Sequence, residues 1–109
     1  MSNQDIFLKA NKALAEGNYE EFIMYCSEDI KWDNVGDRTF NGKAELLEYI
    51  QSAYDGISFT TENHIKENEF VVEFGQIVIE KNGESKTSRY CDIWNFKDEM
   101  ISQVRSFVI

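Results

Sequence analysis

The segment Tyr90-Cys91-Asp92-Ile93-Trp94-Asn95-Phe96 sets a carboxylate inside an aromatic stripe. Read as a β-strand, its period of two puts Tyr90, Asp92, Trp94 and Phe96 on one face, and three rings make that the face to bury. An acid carried inward must be paired, hydrogen-bonded or kept protonated, because a lone buried charge is costly. Two chemistries are open to it. As a pocket acid of raised pKa, Asp92 can donate to a substrate carbonyl. As the partner of Arg105 or of a tyrosine hydroxyl, it is structural. The only histidine, His64, stands beside Asn63 and Ile65 with no evident carboxylate partner, so a hydrogen-bonded or solvent-facing strand position is favoured over a general base. Arg89 has the opposite parity to Asp92, which disfavours a joint Arg/Asp hydrolytic site.

These residues need elements to hold them. Ser2 and Asp5 form a capping-box pattern ahead of Ile6, Phe7, Ala10, Ala13 and Leu14, which share one helical face. Gly17 closes that helix, and Asn18 with Glu21 opens a shorter one bearing Phe22, Ile23 and Tyr25. Ile30 to Asp33 reads as a strand, Asn34 to Arg38 as a loop. A third helix after Asn41-Gly42 carries Leu46, Leu47, Ile50, Ala53 and Tyr54. Strands then run through 57–66, 70–80, 85–96 and 101–109, with Asn82-Gly83 the strongest hairpin signal. Gly75 falls where the apolar parity changes from Phe70, Val72 and Phe74 to Ile77 and Ile79, which suggests a bulge that bends the sheet. Helices wrapped by a bent antiparallel sheet make a cone with an interior, an α+β architecture.

Register decides what faces Asp92. Extended from Asn82-Gly83 without a bulge, the hairpin sets Glu73 opposite Asp92, a pairing of like charges. A bulge at Gly75 sets Val72 opposite Asp92 and Phe70 opposite Trp94, and this apolar register is preferred. In the last hairpin, a two-residue loop at Asp98-Glu99 puts Arg105 opposite Asp92, and a three-residue loop puts Val104 there. The remaining acids, Glu67, Glu69, Glu73 and Glu80, read as a solvated face.

The 109 residues suffice for a single domain, 1–109, and the 42% hydrophobic share is that of a globular chain. A net charge of −9 argues against nucleic acid and anionic membrane as partners. Cys26 and Cys91 stand far apart with no neighbouring metal ligands, and no metal or cofactor is expected. The polar stretch Met1 to Asp5 is unlike a signal peptide, no apolar run reaches bilayer length, and two thiols fit a reduced cytoplasmic protein.

The order helix–helix–strand–helix–meander carries a set of short motifs. They are Ala15-Glu16-Gly17-Asn18, Glu28-Asp29-Ile30, Trp32-Asp33-Asn34-Val35-Gly36, Phe40-Asn41-Gly42-Lys43-Ala44, and Asp92 to Phe96 with Ile101 to Arg105. In that order and spacing the chain resembles the nuclear transport factor 2-like superfamily, closest to its ketosteroid isomerase-like and SnoaL-like polyketide cyclase branch. The resemblance implies a cone of three N-terminal helices on a strongly curved antiparallel sheet. It also implies an isomerase site with Asp33 as base and Asp92 as protonated acid. A tyrosine that would complete the oxyanion hole belongs on helix one, where Ala10 stands. Losing such a donor typically costs about 10²–10³ in rate, which leaves the cyclase-like arrangement of one acid/base carboxylate in an apolar pocket. Against the base role, Asp33 sits in a turn-rich segment with the parity of Lys31, which points to solvent.

The expected function is therefore binding of a small hydrophobic molecule, with cofactor-independent isomerase or cyclase-type proton transfer as its enzymatic form. Asp92 and Asp33 are the candidate catalytic residues; Trp94, Tyr90, Trp32, Tyr54, Phe70 and Phe74 are the candidate lining. The rival is a non-catalytic binding or assembly module of the same fold. Epoxide or dehydratase chemistry lacks a set of residues. Ile93 and Val71, with Val108 as a further candidate, leave an apolar outer face on which a homodimer would pair through the sheet.

Overall fold

Local signals account for the first two helices. The Ser2 hydroxyl accepts from the Asp5 amide at 3.1 Å and the Asp5 carboxylate accepts from the Ser2 amide at 3.3 Å, closing the capping box of α1 (Asn3–Ala15). Gly17, at φ +82°, turns the chain into α2 (Tyr19–Met24), whose Phe22 and Ile23 join the buried face of α1. The computed structural model describes all residues, Met1–Ile109.

The next elements depart from expectation. β1 begins at Cys26 and runs to Asn34, and Arg38–Asn41 is a strand, β2, pairing antiparallel with β1. The turn chemistry of Asn34 to Arg38 hid this short strand. So α3 (Lys43–Ala53) follows a hairpin, and only two of the three helices are N-terminal to the sheet. The meander is β3 (Ile57–Glu67), β4 (Phe70–Lys81), β5 (Glu84–Lys97) and β6 (Met100–Val108). The six strands form one sheet in the order β2-β1-β6-β5-β4-β3. It is mixed, because β1 runs parallel to β6 while every other pair is antiparallel.

The bend lies in β3, not β4. Lys81↔Glu84 pairing continues unbroken from the Asn82-Gly83 turn to Phe70↔Asn95, and the register shift falls between Thr61 and Asn63. Gly75 is required for another reason: a Cβ there would lie 2.0 Å from the Thr60 carbonyl oxygen. The bulged β3 backbone leans onto β4 at the one residue without a side chain. At the other edge of β5, Asp98 and Glu99 both hold positive φ in a two-residue turn, and a second irregularity at Ser102 moves β6 by one residue.

These registers overturn both expected neighbours of Asp92. Glu73, not Val72, faces it from β4, and Ser106, rather than Arg105 or Val104, faces it from β6. Val71 and Val104 flank Trp94 in the core. The helices cover the concave face, where Phe7 and Phe22 meet Trp94 edge-on at 4.9 and 5.9 Å. No helix is long and apolar enough to cross a membrane.

Candidate functional site

Along β5, Ser88, Tyr90, Asp92, Trp94 and Phe96 are buried in alternation, so the aromatic stripe does carry its acid inward. Glu73, with 1% of its surface exposed, is the more deeply buried of the opposed carboxylates; Asp92 is 7% exposed. Their surroundings differ sharply. Oε2 of Glu73 accepts from Thr61 Oγ1 at 2.8 Å, from the Tyr90 hydroxyl at 3.2 Å and from Asn11 Nδ2 at 3.2 Å. Its Oε1 accepts from Trp94 Nε1 at 3.3 Å. Four donors from three elements thus hold Glu73 as a carboxylate would need to be held. Asp92 has no such shell: its Oδ1 is buried without a hydrogen-bond partner.

Burial raises the pKa of both acids. For Glu73 the donors of Thr61, Tyr90 and Trp94 oppose that rise. For Asp92 the Glu73 charge adds to it and Ser106 opposes it, and the carboxyl is pushed up to about 8. Like charges opposed in an apolar interior do not both ionise, so at neutral pH the pair holds one proton. It resides on Asp92, because four donors hold Glu73 whereas only Ser106 opposes the rise at Asp92.

Asp92 helps to wall a small cavity of about 20 Å³, room for one water, together with Tyr54, Phe59, Ile77, Tyr90, Ser106 and Val108 among others. Four of these residues, Tyr54, Ile77, Ser106 and Val108, also wall an open cleft of about 320 Å³. That cleft is bounded further by Asn34, Val35, Asp37 and Tyr49, from the β1–β2 hairpin and α3. Burial raises the Tyr54 phenol well above its usual pKa, with the Asp92 charge the next cause, so Tyr54 stays a neutral hydroxyl beside the acid. A buried carboxylic acid in the wall of a cavity that shares four residues with a mostly apolar cleft can donate a hydrogen bond or a proton to a ligand oxygen.

Of the residues expected to form the site, Asp92, Tyr90 and Tyr54 are brought together around the cavity. Trp94 touches it only through Glu73, and Trp32 is a core residue whose indole donates to Asn34 Oδ1 at 2.8 Å. Asp33 is not brought to Asp92. Its neighbours in the strand, Trp32 and Ile30, point into the core, while Asp33 pairs beside Arg105 and accepts from Thr39 Oγ1 at 3.2 Å on the outer face. Phe70 and Phe74 also leave the expected lining. The unbulged register turns Val71, Glu73 and Gly75 inward, so these two rings lie on the outer face, Phe70 being 40% exposed. Val71, expected outside, is fully buried, and Val108 borders the cleft. His64 packs against the Phe7 ring at 5.1 Å and lies 3.1 Å from Gln4 Nε2, away from the cavity.

Sequence reasoning missed Glu73, Asn11, Thr61 and Ser106. One signal for Glu73 was present: the unbulged Asn82-Gly83 register names it as the partner of Asp92. Asn11 follows the core residue Ala10 on α1, so helix one supplies an amide to Glu73 in place of a phenol.

The SnoaL-like domain family matches residues 8–104. No curated protein matches the chain. Among solved structures, a nuclear transport factor 2-like protein of Cytophaga hutchinsonii superposes with a TM-score of 0.83 at 20% identity, covering 99% of this chain and 100% of that one. A candidate ketosteroid isomerase of Kribbella flavida gives 0.88 at 15% identity over 98% of this chain and 77% of that one. A candidate SnoaL-like polyketide cyclase of Shewanella denitrificans gives 0.87 at 16% identity over 98% and 90%. At such identities the likeness is one of fold, the nuclear transport factor 2-like fold, and carries no site residue across. With the family match spanning nearly its whole length, the chain belongs to the SnoaL-like domain family.

Proposed function

We propose that the chain binds a small, largely apolar molecule through a carbonyl or enol oxygen that Asp92 meets as a neutral acid. The observation that carries this reading is that Asp92, a residue of the cavity wall, keeps a buried carboxyl oxygen, Oδ1, with no hydrogen-bond partner. A ligand oxygen there would take the place of one water and satisfy that acid, with the Tyr54 phenol beside it as a second donor. The cleft of about 320 Å³ matches the lower end of small-molecule sites.

In the enzymatic form of this reading, Asp92 stabilises charge developing on the carbonyl oxygen while a proton leaves the adjacent carbon. Glu73 is a poor base, since four donors occupy it. The acceptor is water of the open cleft, since Asp33 lies on the outer sheet face and Asp37 borders the far end of the cleft from Asp92. The fold permits a purely binding module as well, and the chemistry separates the two.

The test uses para-ethylacetophenone, a one-carbonyl probe, followed by calorimetry from pH 6 to 10. Binding that weakens as pH rises through about 8, where Asp92 ionises, and that Asp92→Asn makes independent of pH, supports the reading. The absence of binding, or pH-independent binding to the native chain, overturns it. Exchange of the probe's methyl protons in heavy water, lost in Asp92→Asn, distinguishes an enzyme from a binding module.

We further infer that a second copy covers the outer sheet face. Ile65, Phe70 and Phe107 stand 59%, 40% and 38% exposed there, next to Val72, Phe74 and Ile93. A monomer in sedimentation equilibrium at micromolar concentration contradicts this. Two free thiols, at Cys26 and Cys91, fit a reducing, cytoplasmic setting.

A further inference from the structure

The cleft has a second donor, at its outer end, and its direction follows from one obligatory hydrogen bond. The indole Nε1 of Trp32 can only donate, and it donates to Asn34 Oδ1 at 2.8 Å. That contact fixes the Asn34 amide, so the atom 2.8 Å from the Tyr49 hydroxyl is Nδ2, which likewise can only donate. The Tyr49 oxygen is therefore an acceptor toward Asn34, and its own proton is directed elsewhere. No other hydrogen bond occupies it, and both Asn34 and Tyr49 border the cleft. The ring itself is held: it stacks on Phe40 at 4.0 Å, with the Arg38 guanidinium 4.7 Å from the Phe40 centroid.

We propose that this cleft takes a neutral, flat apolar molecule with acceptor oxygens at both ends, one met by Asp92 and the other by the Tyr49 hydroxyl. The proposal rests on the carbonyl-binding reading and adds the second anchor. Tyr54, which borders both cavity and cleft, stands between the two donors, and its phenol feels both of them. Ile57, Ile77, Ile79 and Val108 supply the apolar walls between. Neutrality follows from charge: Asp37 borders the outer end and Glu73 lies behind the inner one, so an anionic ligand would meet repulsion at each. Burial, aided by Asp37, raises the Tyr49 phenol, which keeps it a donor throughout the physiological range.

Calorimetry at pH 6 with para-diacetylbenzene and para-ethylacetophenone, similar in length but carrying two carbonyls and one, tests this directly. The native chain should bind the diketone about tenfold more tightly, the size of one good hydrogen bond. Tyr49→Phe, which retains the Phe40 stack, should remove that preference. Asn34→Asp should remove it too, because the Tyr49 proton would turn to the new carboxylate. Equal affinity of the two ketones for the native chain overturns the second anchor alone, as does a preference that survives Tyr49→Phe. Failure of both ketones to bind overturns the carbonyl-binding reading along with it.

Discussion

Glu73 and Asp92 face each other across the β4–β5 ladder, both buried, and four side-chain donors go to Glu73. This asymmetry turns two like acids into a carboxylate and a carboxylic acid. Neither residue alone would do so. A fully solvated Glu73 would leave Asp92 only its burial, and a second donor set on Asp92 would stabilise its charge.

Stability should fall as pH rises from about 4 to about 8. Unfolded, Asp92 releases its proton near its ordinary value of about 3.9; folded, it keeps the proton up to about 8. Between those values the folded state binds the extra proton, so its stabilising effect is complete at the acid end and is lost as pH climbs through the folded pKa. The loss is up to about 1.4 kcal/mol per pH unit while the difference is one proton. Urea denaturation across this range measures it, and Asp92→Asn should flatten the curve. A stability that rises between pH 5 and 8 in the native chain would contradict the assignment.

The two ways of removing the Glu73 charge should differ. Glu73→Gln keeps the shape and an acceptor oxygen for some of the donors, and it relieves Asp92 of its neighbour's charge. Glu73→Ala strands Asn11, Thr61, Tyr90 and Trp94 in the interior, at more than about 3 kcal/mol in all. Denaturant midpoints of the pair decide the point: equal stability for both variants would show that the donors do not depend on the carboxylate.

Much of the fold was legible because its signals are local. Ser2 and Asp5, Gly17, and Asn82-Gly83 each act within a few residues, and the helices and meander follow from them. The site was legible only by half. The alternation of Tyr90, Asp92, Trp94 and Phe96 identified the acid, but its partner depended on where the sheet is irregular. A like-charge rule argued Glu73 out of the interior, and that rule holds for solvated strand pairs. It yields where one acid can keep its proton and the other meets donors from α1, β3 and β5. Those donors come from 12 to 62 residues away in the chain, a distance that periodicity cannot see. Gly75 was recognised as a break, and its reason, the Thr60 carbonyl at 2.0 Å from a Cβ, belongs to the neighbouring strand.

Gly75→Ala should accordingly damage fold and site together. The Thr60 oxygen is backbone and cannot move aside without shifting the β3 bulge, and Thr61, the next residue, holds Glu73 at 2.8 Å. A loss of more than about 2 kcal/mol is expected. Thermal unfolding reads the stability, and the Thr61 hydroxyl contact can be followed in a crystal structure of the variant. Native-like stability in Gly75→Ala would show that β3 can withdraw without cost.

Asp92 is a neutral acid at physiological pH chiefly because it is buried, with the Glu73 charge beside it adding to the effect. Carbon-13 NMR of the Asp92 side-chain carboxyl, titrated from pH 3 to 10 in the native chain and in Glu73→Gln, tests it most directly. A midpoint near 8 is expected in the native chain, lowered in Glu73→Gln yet still above that of a free aspartate, since burial remains. A native midpoint at or below about 4 would contradict it.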